Sequence, residues 1–427
     1  MSFTSERSLS VAAGVPVIAA AAVTQTTAVD TNRLVGIDVL RAVGALMVLV
    51  QHGFWIFIAD DLWKRGTFWG AYPFIQGHVG VVLFLVVSGF CIHGRAARAN
   101  PDENPGFLAF WSRRLKRLYP PYLAAMALSL IALPIASGFY AWEAGEPLTF
   151  ATIWRRIAPG GGGEFAFGGL ISLLLLTPFW PKALDLLGNY PFWSLALEEQ
   201  LYLLYFGLPW LRRRIGIRNT LWVALAVSLF WRAASVFGPL GHGKPMMSHV
   251  PFGVIPPLSP EATMAFMNMG PSRWFEWVLG AMAVEIALGR HPRHPIQTSW
   301  PLAAACSVLA LACQWSHWGW VFTDLLWGVA CWIVVNVVVR CEQEGRLRAS
   351  GLIAPLAKLG LFSYSLYLIH EPLIHVLGRP LIQVMPWPFA RVVAMGVIIW
   401  LAYKFYLWVE IPAMAWSRGR KATTASA

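Results

Sequence analysis

The stretch GIDVLRAVGALMVLVQH, residues 36–52, is almost wholly apolar, yet it holds Asp38, Arg41 and His52. Ionisable groups in such a stretch are costly and usually serve a function. Arg41 and His52 are eleven residues apart in the chain. At 100° per residue they share one helical face, and the rise separates them by roughly 16 Å. That face carries a fixed cation at one level and an imidazole at another. The cation suits an anionic group, and the imidazole suits proton transfer near neutral pH. Farther along, FWSLALEEQLYLL, residues 192–204, places Trp193 and Ser194 just before Glu198, with Glu199, Gln200 and Tyr202 following. Ser194 and Glu198 are four apart and face the same way. A carboxylate brought close to His52 would orient its ring and raise its basicity. SRWFEWVLG, residues 272–280, sets Arg273 and Glu276 three apart, and LGLFSYSLYLIHEP, residues 359–372, carries Tyr364, Tyr367 and His370.

The chain that positions these groups has 427 residues, is 57% hydrophobic and only 13% charged. Soluble domains carry nearly twice that share of charge. The composition points to an all-α, polytopic membrane protein with no soluble domain beside it. A formal net charge of +12 accompanies this. The basic residues lie in short clusters between apolar segments, which fits topology and lipid contact, and no nucleic-acid recognition motif goes with them. Nucleic acid is therefore not expected as a partner. The five cysteines form no C-x-x-C pair and read as small packing residues. His291 and His294 make an H-x-x-H in a proline-broken loop, a poor setting for a metal, so none is expected.

A crossing helix needs about 20 apolar residues. Ten segments qualify as spans: 35–58, 77–94, 119–138, 190–211, 219–238, 273–289, 298–315, 318–340, 357–377 and 388–411. The apolar run 168–180 is too short and reads as a re-entrant or interfacial piece. Residues 1–32 form an N-terminal tail, 33–412 the membrane domain, and 413–427 a second tail. Lys and Arg favour the cytoplasmic side. With both termini inside, the clusters at 95–117, 212–218, 290–293, 340–358 and 418–421 all fall inside, which predicts a multi-pass protein of the cell's inner (plasma) membrane. FLAFWSRRLKRLYPP, residues 107–121, reads as an amphipathic helix on the cytoplasmic interface ending at Pro120 and Pro121. The loop 239–272 is rich in Pro, Gly and Met and reads as a lid, as part of a substrate mouth or as a plain connection. Gly80 and Gly89 permit close helix packing, and Ser88, lacking a G-x-S-x-G turn, reads as a packing residue. Glu410 reads as an end-cap.

Taken together, IDVLRAVGALMVLVQH, GVVLFLVVSGF, RRLKRLYP, FWSLALEEQLYLL, SRWFEWVLG and LGLFSYSLYLIHEP resemble, in order, the elements of the integral-membrane acyltransferase family 3. The resemblance covers about residues 33–412. It implies a multi-span enzyme that moves an acyl group, commonly acetyl, from acyl-coenzyme A to a hydroxyl, with surface polysaccharides among the acceptors. No permanently bound cofactor is implied; acetyl-CoA is the donor substrate. The residues carried over are Arg41 and His52, Arg113, Arg114 and Arg117, Trp193, Ser194 and Glu198, Arg273, and Tyr367 and His370. Many members have an acid where this chain has Val82, so that role is absent or supplied elsewhere, with Asp38 and Glu198 as candidates. The soluble hydrolase-like domain that some members append is not in this sequence, so any second catalytic module is expected to be a separate protein.

The expected roles follow. His52 is the general base, Glu198 orients or balances it, and Arg41 handles the donor end of the site. Arg113, Arg114 and Arg117 meet the coenzyme A phosphates. Trp193, Ser194, Arg273, Tyr367 and His370 contact substrate, with His370 a rival for the base. The acceptor is a carbohydrate or another extracytoplasmic or lipid-linked hydroxyl. A secondary transporter using the same Arg, His and Glu as a pathway is the competing class. It lacks the inverted repeat and paired Gly/Pro-broken spans that such folds show.

Overall fold

The structure is a computed structural model, which describes residues 33–57, 75–98, 106–157, 189, 191–237, 267–316 and 318–419. The N-terminal tail, the run 168–180, most of the 239–272 loop and the last residues of the C-terminal tail lie outside the described residues.

All regular elements among the described residues are helical. In chain order they are α1 (Val35–Phe57), α2 (Gly77–Arg98), α3 (Phe107–Glu143), α4 (Phe150–Ile157), α5 (Phe192–Tyr205), α6 (Gly207–Phe237), α7 (Trp274–Ala287), α8 (Trp300–Cys313), α9 (Trp320–Gln343), α10 (Ile353–Leu361), α11 (Ser363–Val384), α12 (Trp387–Phe405) and α13 (Ile411–Ser417). Six of the helical stretches are long and apolar enough to cross a membrane: α1, α2, α3, α6, α9, and the continuous run Trp387–Ser417. The chain is thus a multi-pass membrane protein, but length and composition do not bear out a count of ten. The reasons are local. Helices α5, α7 and α8 have 14 residues each, which rise only about 21 Å against a hydrocarbon layer of about 30 Å. Helix α11 has the length, 22 residues, but carries His370, Glu371, His375 and Arg379.

The segment 107–121 is not a separate interfacial helix. It is the first part of the 37-residue α3, which runs through Pro120, Pro121 and Pro134. Proline removes one backbone donor without ending a helix that its neighbours hold in place. At about 55 Å, α3 outruns the bilayer, so its basic end projects past the hydrocarbon. Helix α6 spans both sides of a break at Gly216, whose φ of 78° is open to glycine.

Small residues set the closest helix crossings. A Cβ on Gly280 of α7 would lie 1.9 Å from the Val86 carbonyl oxygen of α2, and one on Gly89 of α2 would lie 2.0 Å from the Trp277 carbonyl oxygen of α7. Those two helices therefore meet backbone to backbone, the approach that small residues allow in membranes. Gly80 meets the Gly44 backbone of α1 in the same way, at 2.6 Å. Helix α1 also packs against α11, and α11 against α3 and α12. A core of Leu49, Phe54, Tyr122, Phe192, Leu366 and Ile369 joins α1, α3, α5 and α11.

Candidate active site

Both ends of α1 carry polar clusters. At one end His52 meets α11. Its Nδ1 lies 2.7 Å from His370 Nε2 and 3.2 Å from Glu371 Oε2. The two imidazole planes differ by 4° with centroids 5.0 Å apart, so the rings lie edge to edge, joined by one shared proton. The direction of that hydrogen bond follows from His370. Its Nδ1 faces two backbone carbonyl oxygens, Tyr367 at 2.8 Å and Leu366 at 3.1 Å. Carbonyls only accept, so Nδ1 carries the proton and, in neutral His370, Nε2 is bare. His52 must then donate from Nδ1, which leaves His52 Nε2 with a free lone pair. The structure thus fixes which nitrogen of His52 is basic. Helix register explains the geometry: His370 bonds carbonyls three and four residues back, while Glu371, next in line, reaches the same ring from beside it.

The carboxylate beside His52 is Glu371, not Glu198. Glu198 Oε1 accepts a hydrogen bond from Ser88 at 3.0 Å and another, short one from Tyr202. Ser88 also receives the Trp277 indole N–H at 3.4 Å, so it is more than packing. Glu371 turns its other oxygen to His375 Nε2 at 3.9 Å, and His375 Nδ1 contacts the Tyr140 hydroxyl at 3.1 Å. Sequence reading passed over Glu371 and His375, although HEPLIH places them four apart on one face.

The other end of α1 is cationic. Half-buried Arg41 sits 3.4 Å from the Cys91 sulfur and 3.8 Å from Asp38. Cys91 is exposed rather than a core packing residue. Arg117 is within electrostatic reach of Arg41, Arg114 and Glu410, and Arg113 of Arg114 and Arg95. The Arg114 guanidinium lies over the Tyr202 and Phe110 rings, 5.3 and 5.5 Å from their centroids. Glu410 is no end-cap: it is buried, accepts from Ser365 Oγ at 2.5 Å, and faces the same cations. Arg41 of α1 and the Arg113, Arg114 and Arg117 cluster of α3, far apart in sequence, thus come into electrostatic reach of one another. Lys116 points away, over the Trp416 ring of α13.

Between the two ends, Ser194 Oγ and Tyr367 Oη are 2.6 Å apart, and both face the Pro191 carbonyl. Trp193 packs with Tyr367, Val48 and Val81. Val82 is buried, and Asp38 sits at the Arg41 end. Arg273 lies instead in a charge-balanced quartet with Arg232, Glu276 and Asp324. It bonds Asp324 at 2.6 Å and Asn268 at 3.1 Å, while Arg232 bonds Glu276 at 2.7 Å, Asp324 at 3.0 Å and the Ser272 carbonyl at 2.9 Å. One further feature is chemical. One ring nitrogen each of His52 and His370 and a Glu371 oxygen lie within 4.8 Å of one another, the one group of this kind found among the described residues.

A family profile described as an acyltransferase domain matches residues 34–407. The chain belongs to the integral-membrane acyltransferase family 3. It is an acyltransferase. Among curated relatives, BcsY of Komagataeibacter xylinus, named as a membrane-bound transacylase, is 25% identical over 81% of this chain and 74% of its own length. The O-acetyltransferase OatA of Staphylococcus aureus is 23% identical over 80% of this chain and 50% of its own length. The peptidoglycan O-acetyltransferase OatA of Listeria monocytogenes is 22% identical over 91% of this chain and 57% of its own length. The chain thus spans about half the length of these OatA relatives. No solved structure matches it.

Proposed function

We propose that this acyltransferase moves an acyl group, in the first instance acetyl, from acyl-coenzyme A to a hydroxyl of a carbohydrate on the far side of the cell's inner membrane. The observation that carries the reading is the fixed tautomer of His52. Its Nδ1 is committed to His370, with the Glu371 carboxylate alongside, and its Nε2 is left free to take a proton. An alcohol is a weak nucleophile, and a base within hydrogen-bond reach removes its proton as it attacks the thioester. Glu371 offsets the imidazolium that forms. The proton then passes to the departing thiolate.

The Arg41 end suits the donor. Coenzyme A is rich in phosphate, and planar guanidinium groups match phosphate oxygens. In this reading Arg113, Arg114 and Arg117 hold the phosphates, Arg41 guides the pantetheine arm along α1, and the thioester reaches His52 roughly 16 Å farther on. Positive residues favour the cytoplasm, so the Arg41 end and both termini face inward and His52 lies toward the outside. Trp193, Ser194 and Tyr367 line the route between. The names of the OatA relatives support a sugar hydroxyl as acceptor and acetyl as the group moved.

The test uses purified full-length protein in lipid nanodiscs with radiolabelled acetyl-CoA and candidate glycan acceptors. Acetyl-ester formation with equimolar free coenzyme A is expected, lost in His52→Gln. Passage of an intact solute across vesicles, with no thioester consumed, would establish a transporter instead.

A further inference from the structure

Acid–base work does not account for everything at the His52 end. His370 is 1% exposed and donates Nδ1–H to two backbone carbonyls, which aims a bare Nε2 at His52. That is how proteins orient an imidazole that ligates a metal. Glu371 Oε2 is buried and accepts no hydrogen bond, yet it lies 3.2 Å from His52 Nδ1. Two imidazole nitrogens and one carboxylate oxygen, all within 4.8 Å, are a donor set for Zn²⁺ with a fourth position left for water. Two nitrogen donors select against Mg²⁺ and Ca²⁺.

We propose that His52, His370 and Glu371 form a zinc-binding site whose occupancy switches the base off. The inference rests on His52 acting as the base. The proton bookkeeping is simple. Without metal, Nδ1 of His52 carries the ring proton and Nε2 is bare. Zinc takes the Nδ1 lone pair, so that proton must leave Nδ1. The neutral ring then carries its single proton on Nε2, the atom that otherwise accepts the proton of the hydroxyl. No net proton is gained or lost; the metal trades one tautomer for the other. The shared hydrogen bond to His370 is replaced by two Zn–N bonds. With Zn–N distances near 2.0–2.1 Å, the two nitrogens must stand about 3.4 Å apart, against 2.7 Å without metal. The His52 side chain is 21% exposed and can swing outward, whereas His370 is sealed in the core. The other histidine pair makes a poor rival: His294 Nδ1 already accepts from the Ile296 amide as a cap.

The test starts from full-length protein in nanodiscs, stripped with a chelator. Zinc is titrated against a fluorescent zinc indicator, and thermal unfolding is followed in parallel. One saturable site per chain and a rise in Tm with zinc are expected, since a ligand held only by the folded state stabilises it. Glu371→Gln and His370→Gln should each weaken binding by at least about 100-fold, more than the usual loss on removing an outer-shell partner. The double variant His291→Ala/His294→Ala should bind as the parent does. Acetyl transfer should fall as the site fills and return on chelation. Absence of saturable binding to the parent protein, or binding unchanged in both ligand variants, would overturn the site. Transfer that requires zinc would overturn the off-switch. Should the protein transfer no acetyl group either stripped or zinc-loaded, the proposed function fails, while the titration and the Tm shift still decide the metal site.

Discussion

Two buried polar clusters in this molecule are built on opposite plans. In the Arg232 quartet every cation is answered: Arg232 alone reaches Glu276, Asp324 and the Ser272 carbonyl, and Arg273 closes on Asp324. Two guanidinium groups balance two carboxylates, and the result ties α6, α7 and α9 together. In the His52 cluster the hydrogen bonds run in one direction, from His52 through His370 to two backbone carbonyls, and leave Nε2 of His52 free at the start. Buried charge is costly unless it is paired. A closed network therefore holds helices, while an open one keeps a valence available for something else. The same residue types, Arg, His and acid, serve structure in one place and chemistry in the other. What separates them is whether each charge meets an opposite one: in the quartet it does, although Arg273 Nε and Glu276 Oε2 lack a hydrogen-bond partner, while at His52 the single carboxylate of Glu371 stands beside histidines.

That contrast can be broken at either cluster. The largest effect is expected at the open one. His52→Gln should lower kcat by about 10²–10⁴-fold, the usual worth of a general base, with Tm close to that of the parent. An amide can keep the hydrogen bond to His370 but cannot take the proton. Steady-state transfer assays and thermal unfolding on the same preparation check both halves, and near-native turnover would make His52 structural.

The closed cluster should fail the other way. Arg232→Met leaves Glu276 and Asp324 with too few partners, and breaking a buried pair costs about 3–5 kcal/mol. The outcome expected is a large fall in Tm or in yield, with kcat per folded molecule near that of the parent. Loss of kcat in well-folded Arg232→Met would move the quartet from scaffold to site.

A third, smaller effect lies at the Arg41 end. Arg113→Ala/Arg114→Ala should raise KM for acetyl-CoA by about 10-fold or more, since each hydrogen bond to a charged group contributes about 1.5–3 kcal/mol, and should change kcat little. KM for the acceptor should not move. An unchanged donor KM would reduce these arginines to markers of topology.

Much of this was legible in the chain. The period of α1 already put Arg41 and His52 on one face, and the order of six short segments pointed to the family. The partner of His52 was not legible. Glu198 and Glu371 are both acids on apolar helices, and only the crossing of α1 with α11 decides which one arrives. The count of ten spans is not borne out by length and composition among the described residues, for a related reason. Helices α5, α7 and α8 are as apolar as true spans, but they are short, and hydropathy does not register where a chain breaks. Pro120 and Pro121 misled in the opposite sense, because packing around α3 overrides a local signal to stop. Arg273 looked like a substrate contact from its place in a recognisable segment. Its partner Asp324 lies 51 positions away in the sequence, a pairing that no local pattern announces.

The smallest effect tests whether burial, rather than pairing as such, makes the quartet strong. Glu146 and Arg156 form a two-pronged pair between the α3–α4 turn and α4, with Nε to Oε2 at 3.1 Å and Nη2 to Oε1 at 2.9 Å. The geometry is as good as anything in the quartet. The side chains, however, are 41% and 30% exposed, against 0% for both Arg232 and Glu276. Water and salt screen such a pair, and exposed pairs contribute about 0.2–1 kcal/mol. Glu146→Gln should therefore leave turnover unchanged and shift stability by less than about 1 kcal/mol. Whatever shift is seen should shrink as salt is raised. Thermal unfolding of Glu146→Gln beside Arg232→Met, at low and high salt, makes the comparison directly. If the exposed pair costs as much as the buried one, ideal hydrogen-bond geometry outweighs burial in this protein, and the division between closed scaffold and open site would have to be redrawn on geometry alone.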